Sequence, residues 1–65
     1  MMYKINDRQG EVFLLAPTSS NGESYYEVYA HSENDTFGKY IGDFETPQRF
    51  GTKEFQIDFE YWIED

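Results

Sequence analysis

Apolar and polar residues alternate over much of the chain, with the two-residue period of a strand that has one face buried. Residues 2–7 and 11–16 carry this pattern on either side of a short connection containing Gly10, and they predict an antiparallel hairpin. Pro17 follows directly. We expect it to end the second strand, because proline has no backbone N–H to offer a sheet.

A polar segment, residues 18–24, separates this hairpin from the next strand and contains Asn21-Gly22, a pair suited to a turn with positive φ. Residues 25–31 then resume the alternation. One face of this third strand is predicted to carry Tyr26, Val28 and Ala30, and the opposite face Tyr25, Glu27, Tyr29 and His31. The second face is therefore half aromatic and half polar.

Residues 37–44 predict a fourth strand that contains two glycines. Gly38 and Gly42 are expected to mark bends or bulges, which a small and strongly curved sheet requires. Residues 46–51 then offer one helical turn, because they begin with Thr-Pro and end with glycine.

The C-terminal segment, residues 54–64, fits a strand better than a helix when its apolar positions are aligned with each template. As a strand it directs one apolar row inward, formed by Phe55, Ile57, Phe59, Tyr61 and Ile63. As a helix it forms a stripe from Phe55, Phe59, Trp62 and Ile63, but Ile57 and Tyr61 fall outside the centre of that stripe. The pattern therefore predicts a fifth strand with an acidic outer row.

Together these elements predict one all-β domain over residues 1–65: a five-stranded antiparallel meander curled into a small half-open barrel, with one short helical turn near 46–51. The predicted core contains Ile5, Val12, Leu14, Val28, Ile41, Phe55, Ile57, Phe59 and Ile63.

Aromatic residues dominate the apolar composition, with six Tyr, six Phe and one Trp. Thirteen rings are too many for the interior of a 65-residue domain, so some are expected on the surface, where Tyr and Trp favour interfaces. Cysteine is absent, which excludes disulfides and thiolate metal sites. No apolar run approaches the roughly 18 residues of a membrane span, and we expect a soluble, cytoplasmic protein.

Thirteen acids against five Lys and Arg give a net charge of −8, which repels nucleic acid and anionic lipid and attracts basic partners. The acids concentrate in the C-terminal half. On the predicted fifth strand, Glu54, Asp58, Glu60 and Glu64 would form an outward carboxylate ladder, with Asp43, Glu45 and Asp65 nearby. Such a ladder is either a solubilising surface or a phosphate mimic that fits a basic groove.

A second candidate site is a set of exposed rings, Tyr25, Tyr29 and Trp62, beside these carboxylates. Arg side chains stack on such rings and pair with neighbouring acids. The alternative is that these rings cover the open end of the small barrel.

The segment HSEND offers His31, Glu33 and Asp35 at alternate positions, a spacing that permits metal binding but that turn chemistry explains adequately. No metal or other cofactor is expected. No serine lies in a nucleophile elbow, the chain has one His, and a domain this small has little volume for a substrate pocket. We therefore expect a protein that is not an enzyme.

The sequence thus favours an acidic protein-interaction module that binds a basic protein surface, with nucleic-acid mimicry of the phage-inhibitor kind as its sharpest form. The alternative is a small structural or assembly subunit that pairs through an edge strand and an aromatic face, including as a homodimer. Neither hypothesis involves direct binding to nucleic acid or to a membrane.

Overall fold

An antiparallel sheet followed by one helix makes up the part of the chain that the computed structural model describes, residues 1–32 and 37–65. The elements are β1 (Tyr3–Asn6), β2 (Val12–Ser20), β3 (Glu23–His31), β4 (Phe37–Phe44) and α1 (Lys53–Glu64). The four strands lie in the order β1-β2-β3-β4, and each pairs antiparallel with the next. The predicted antiparallel meander is confirmed for these four strands.

Local hydrogen bonds and backbone conformations form the first two turns. The Asp7 carboxylate accepts the backbone N–H groups of Gln9 and Glu11, at 3.0 and 2.9 Å, which folds the chain back between β1 and β2. Asn21 and Gly22 have φ of +54° and +82°, the two left-handed positions of a primed two-residue hairpin between β2 and β3.

Pro17 does not end β2, contrary to the sequence prediction. The strand continues to Ser20, and Pro17 is aligned with Tyr26 of β3. A two-residue hairpin closes on a hydrogen-bonded pair, so counting back from Ser20 and Glu23 places Pro17 in a non-hydrogen-bonded pair with β3. Its missing N–H therefore faces the β1 side, where the β1–β2 register begins only at Leu15.

The two glycines of β4 coincide with irregular pairing, as the sequence predicted. The register passes from Val28↔Gly42 to Tyr29↔Tyr40, which leaves Ile41 as the additional residue of a bulge. A second shift lies between Tyr29 and His31. Gly38 is needed there because a Cβ on it would lie 2.6 Å from the Ala30 carbonyl oxygen.

The C-terminal segment is a helix, so the predicted fifth strand is wrong. Thr52 is its N-cap, and the Thr52 hydroxyl accepts the backbone N–H of Phe55 at 3.2 Å. Glu54 places a negative charge in the first turn, where the helix dipole favours it. Ile57 and Tyr61, which the strand pattern directed into the core, are 40% and 65% exposed. The apparent two-residue period arose from these two outward residues.

The helix covers one face of the sheet and creates the core. Phe55 and Phe59 enter it at helical spacing, and their rings meet Phe44 with centroids 5.5 and 5.6 Å apart. Trp62 lies against Phe44 and above Gly42, whose missing side chain leaves room for the indole. The buried apolar residues are Ile5, Phe13, Leu14, Leu15, Val28, Phe44, Phe55 and Phe59.

Five of the predicted core residues are among these: Ile5, Leu14, Val28, Phe55 and Phe59. Ile41 and Ile57 are exposed, because one is the additional residue of a bulge and the other lies on the outer side of the helix. Val12 and Ile63 are half-buried. Sequence reasoning missed Phe13, Leu15 and Phe44, which point toward a helix it did not predict.

The predicted helical turn and barrel are also corrected. Residues 46–51 form bends and a turn, and the helix starts two residues later. Over the described residues the protein is mostly β, with one open four-stranded sheet that does not close into a barrel. Because the C-terminal segment covers the sheet instead of extending it, the fold has two layers.

Candidate functional site

The face of the sheet that points away from α1 carries the candidate site, and we call it the open face. Tyr25, Glu27 and Tyr29 lie on it, since they alternate along β3 with Tyr26 and Val28, which pack toward the helix. Their partners on β4 extend the same surface, because residues directly opposite in a sheet share a face. The sequence prediction for the two faces of this strand is confirmed.

An apolar residue underlies the centre of this face. Leu14 is aligned with Lys4 on one side and Tyr29 on the other, and it is 0% exposed although α1 lies on the opposite face. Groups on the side of the sheet opposite α1 therefore shield it from water. The open face is thus a packed surface, and this packing partly orders its tyrosine side chains.

Three rings form a continuous cluster on the open face. Tyr29 contacts Phe37 and Tyr40, with centroids 4.7 and 5.5 Å apart and planes inclined by about 60°. Tyr29 is half-buried, whereas Phe37 and Tyr40 are 49% and 48% exposed. The cluster therefore presents aromatic surface to the solvent at the β4 edge of the sheet.

Two carboxylates stand beside these rings and directly opposite each other. Glu27 of β3 is the cross-strand partner of Asp43 of β4. The Tyr29 hydroxyl donates to Oε1 of Glu27 at 3.1 Å, and the Tyr40 hydroxyl donates to Oδ1 of Asp43 at 2.5 Å. Like charges in opposite positions destabilise a sheet, and these two hydroxyl donors offset part of that repulsion.

The same hydrogen bonds change the acidity of the tyrosines. Donation to the Asp43 carboxylate, together with burial and the negative charges of Asp43 and Glu27, raises the pKa of Tyr40 to about 12. Donation to Glu27 raises the pKa of Tyr29 in the same direction. Both hydroxyls therefore keep their protons, and with them their hydrogen bonds, throughout the physiological pH range.

A shallow acidic groove continues the open face toward the β2–β3 turn. It is lined by Tyr25 together with Glu23, Asp43 and Glu45. Four of the residues predicted from the sequence are thus brought to one side of the sheet: Tyr25, Tyr29, Asp43 and Glu45.

The other predicted site residues, Glu54, Asp58, Glu60, Trp62 and Glu64, lie on α1 in the opposite layer. They do not form a strand ladder. Asp58 accepts the Thr46 hydroxyl at 2.6 Å, which ties the helix to the segment after β4. Glu60 and Glu64 each lie 3.4 Å from Nε of Arg8, and Glu60 also accepts the side-chain amide of Gln56.

Two details of the sequence hypothesis change as a result. Asp58 and Glu60 are half-buried and make tertiary or helix contacts, whereas the predicted ladder required both to point freely into solvent. Trp62 belongs to the edge of the core, with its ring against Phe44 and Phe59, and is separated from Tyr25 and Tyr29 by the sheet. It therefore shares no surface with them.

Glu27, Phe37 and Tyr40 were not predicted as site residues. The alternation of Glu27 with Tyr26 and Val28 predicted its face correctly. No other feature of the sequence marked Glu27 as a site residue. Phe37 and Tyr40 gave none, since the bulges of β4 break the simple alternation that assigns a face.

Other kinds of site find little support in the described residues. Glu33 and Asp35 of the HSEND segment lie outside them. Within residues 1–32 and 37–65, no three His, Asp or Glu side chains are grouped in a way that would hold a metal ion. The same part of the chain contains no helix with the length and apolarity required to span a membrane.

Comparisons with protein-family models, with curated proteins and with solved structures give no match to this chain.

Proposed function

We propose that this protein is a non-enzymatic interaction module that binds a basic protein surface through its open face. The observation that carries the proposal is the Glu27–Asp43 pair, two opposed carboxylates held by tyrosine hydroxyls beside half-exposed rings. Opposed acids cost folding free energy. A cation bound between them relieves that cost, so the arrangement favours a positively charged partner.

The surface on the β3–β4 side of the open face, away from Lys4 of β1, supports the same partner chemistry. Glu23 and Glu45 extend the negative charge along the groove, and the whole chain carries −8. The exposed rings of Phe37 and Tyr40 offer apolar surface to the aliphatic stem of a basic side chain. The negative faces of the same rings attract its charge. Long-range attraction would speed the encounter at low ionic strength.

Charge reversal at the centre of the open face tests this proposal. Hexa-arginine and hexa-lysine peptides serve as probes, and amide shifts in NMR spectra locate their binding. We expect the shifts to concentrate on β3 and β4, and Glu27→Lys with Asp43→Lys to abolish them.

A matched control changes the total charge equally on the opposite layer. Glu54→Lys with Asp65→Lys replaces two exposed acids of the helix end regions and should retain binding to the open face, with a modest loss from the reduced net charge. Shifts that map to α1, or equal losses for the two double variants, would contradict the proposal.

A nucleic-acid-binding protein is one class of partner within this proposal. Its basic groove would meet the same acidic surface, and this protein would then exclude nucleic acid from that groove. The strand ladder that first suggested mimicry is absent, so the support for it is the net charge of −8 and the acids of the open face. Simultaneous binding of DNA and this protein to such a partner would reject the mimicry.

An assembly subunit is the second candidate, and the position of β4 favours it. This strand forms an edge of the sheet and carries half-exposed Phe37 and Tyr40, so it offers backbone and ring surface to another strand. Sedimentation over a range of protein concentrations distinguishes the two functions. A concentration-dependent dimer would favour assembly, whereas a monomer throughout favours the basic-partner proposal.

A further inference from the structure

The ring cluster of the open face is closed to a cation that would enter between its members. Tyr29 lies 4.7 Å from Phe37 and 5.5 Å from Tyr40 between centroids, so the rings already contact each other. A cage for an alkylammonium group needs rings that stand apart and surround it. What remains available is the outer surface of Phe37 and Tyr40, on which a ligand must lie flat.

The carboxylate pair next to the cluster has unused acceptors in a suitable place. Tyrosine hydroxyls occupy Oε1 of Glu27 and Oδ1 of Asp43. Among the described residues, the structure shows no hydrogen bond to the second oxygens, Oε2 of Glu27 and Oδ2 of Asp43. Because Glu27 and Asp43 are cross-strand partners, a single planar group with several donors can reach both.

We propose that the open face recognises arginine in preference to lysine, and that its partner is an arginine-bearing polypeptide segment. The guanidinium is planar, stacks on aromatic rings and directs several N–H donors in its plane. It can lie on the ring of Tyr40, whose hydroxyl is hydrogen-bonded to Asp43, while it donates to Asp43 and Glu27. This inference rests on the proposed function and adds the chemical identity of the side chain that the open face selects.

Lysine meets only part of this arrangement. Its ammonium group is compact and strongly hydrated, and its donors diverge instead of lying in one plane. It gains the attraction to the acids but makes a weaker contact with the rings than the planar guanidinium does. The negative charge of the open face therefore selects a positively charged partner, and its rings determine which basic residue is preferred.

The test compares hexa-arginine and hexa-lysine, which carry equal charge, by isothermal titration against the full chain. We expect hexa-arginine to bind about two- to fivefold more tightly, the range that one cation–π contact at an exposed site supplies. The preference should persist as salt is added while both affinities fall, because stacking depends less on ionic strength than charge attraction does.

Ring variants connect the preference to the open face. In Phe37→Leu with Tyr40→Leu, the ratio of the two affinities should fall close to one, because hexa-lysine binding weakens less than hexa-arginine binding does. The control Tyr40→Phe keeps the ring and should keep most of the preference. Circular dichroism of each variant verifies the fold, and both substituted side chains are half exposed in the parent.

The outcomes separate this inference from the proposed function. If both peptides bind the open face with equal affinity, or if the leucine variant keeps the arginine preference, the inference is wrong and the basic-partner proposal stands. If neither peptide shifts the amides of β3 and β4, the proposed function itself fails.

Discussion

Two side-chain hydrogen bonds on the open face couple tyrosine ionisation to the fold. Tyr40 and Tyr29 each donate to a carboxylate across a surface that is already rich in negative charge. A tyrosinate there would face an acid without a proton between them. Deprotonation is therefore disfavoured in the folded state, which is the reason that both pKa values are raised.

The pH dependence of stability follows from the sign of this shift. The pKa of Tyr40 rises from 10.0 to about 12, so its contribution is complete below pH 10 and is lost as pH rises through about 12. An NMR titration should show Tyr40 ionising late, and Asp43→Asn should lower its pKa toward 10.0. If Tyr40 titrates identically with and without the Asp43 carboxylate, the hydrogen bond does not set its acidity.

At the scale of elements, the helix α1 stabilises the sheet through one narrow stripe. Phe55 and Phe59 are buried, and the ring of Phe59 meets Phe13, Phe44 and Trp62. The opposite side of the helix holds Ile57 and Tyr61 in solvent, with Arg8 lying 5.7 Å from the centre of the Tyr61 ring. The two sides should therefore respond very differently to truncation.

Truncation of Phe59 to Ala should cost about 3–5 kcal/mol, because it removes a fully buried ring and leaves a cavity between the layers. Domains of this size have about that much stability in total, so the variant should be largely unfolded. The control Tyr61→Ala, on the exposed side of the same helix, should change the free energy of unfolding by about 0.5 kcal/mol or less. Urea denaturation of both variants makes the measurement, and equal midpoints would contradict the packing.

At the scale of the whole molecule, charge repulsion and burial of the core have opposite effects on the free energy of folding. Thirteen acids on a 65-residue chain repel one another in the compact state, and the packing of the two-layer core stabilises that state against the repulsion. The ion pairs of Arg8 with Glu60 and Glu64 lie at the surface, with the Arg8 side chain half exposed, and offset little of this repulsion. Screening by salt should therefore favour the folded state.

We accordingly expect the melting temperature to rise with added salt, although the same salt weakens binding to a basic partner. The variant Glu54→Lys with Asp65→Lys halves the net charge, so its melting temperature should depend less on salt. Thermal unfolding followed by circular dichroism gives both values. A melting temperature that falls with salt would show that attractive ion pairs outweigh the repulsion.

Local sequence chemistry determined the strands and their turns. Alternation placed β1, β3 and β4 and separated the two faces of β3, because a strand directs successive side chains to opposite sides. Asn21-Gly22 determined the second hairpin, since few other pairs adopt two positive φ values readily. These features depend on residues close together in the chain. The bounds of β1, β3 and β4 were predicted to within two residues, whereas the predicted loop 18–24 is strand except for Asn21 and Gly22.

Tertiary structure decided the C-terminal segment and, with it, the site. Residues 54–64 fitted both periods in part. Whether they became a helix or a strand depended on whether burial of the apolar face of the sheet required a covering layer. That face, with Phe13, Leu15 and Phe44, becomes apolar surface only once the four strands pair, and burying it favours the helix. The helix then carries its acids away from the open face, so the pairing of Glu27 with Asp43, set by long-range register, is visible only in the folded protein.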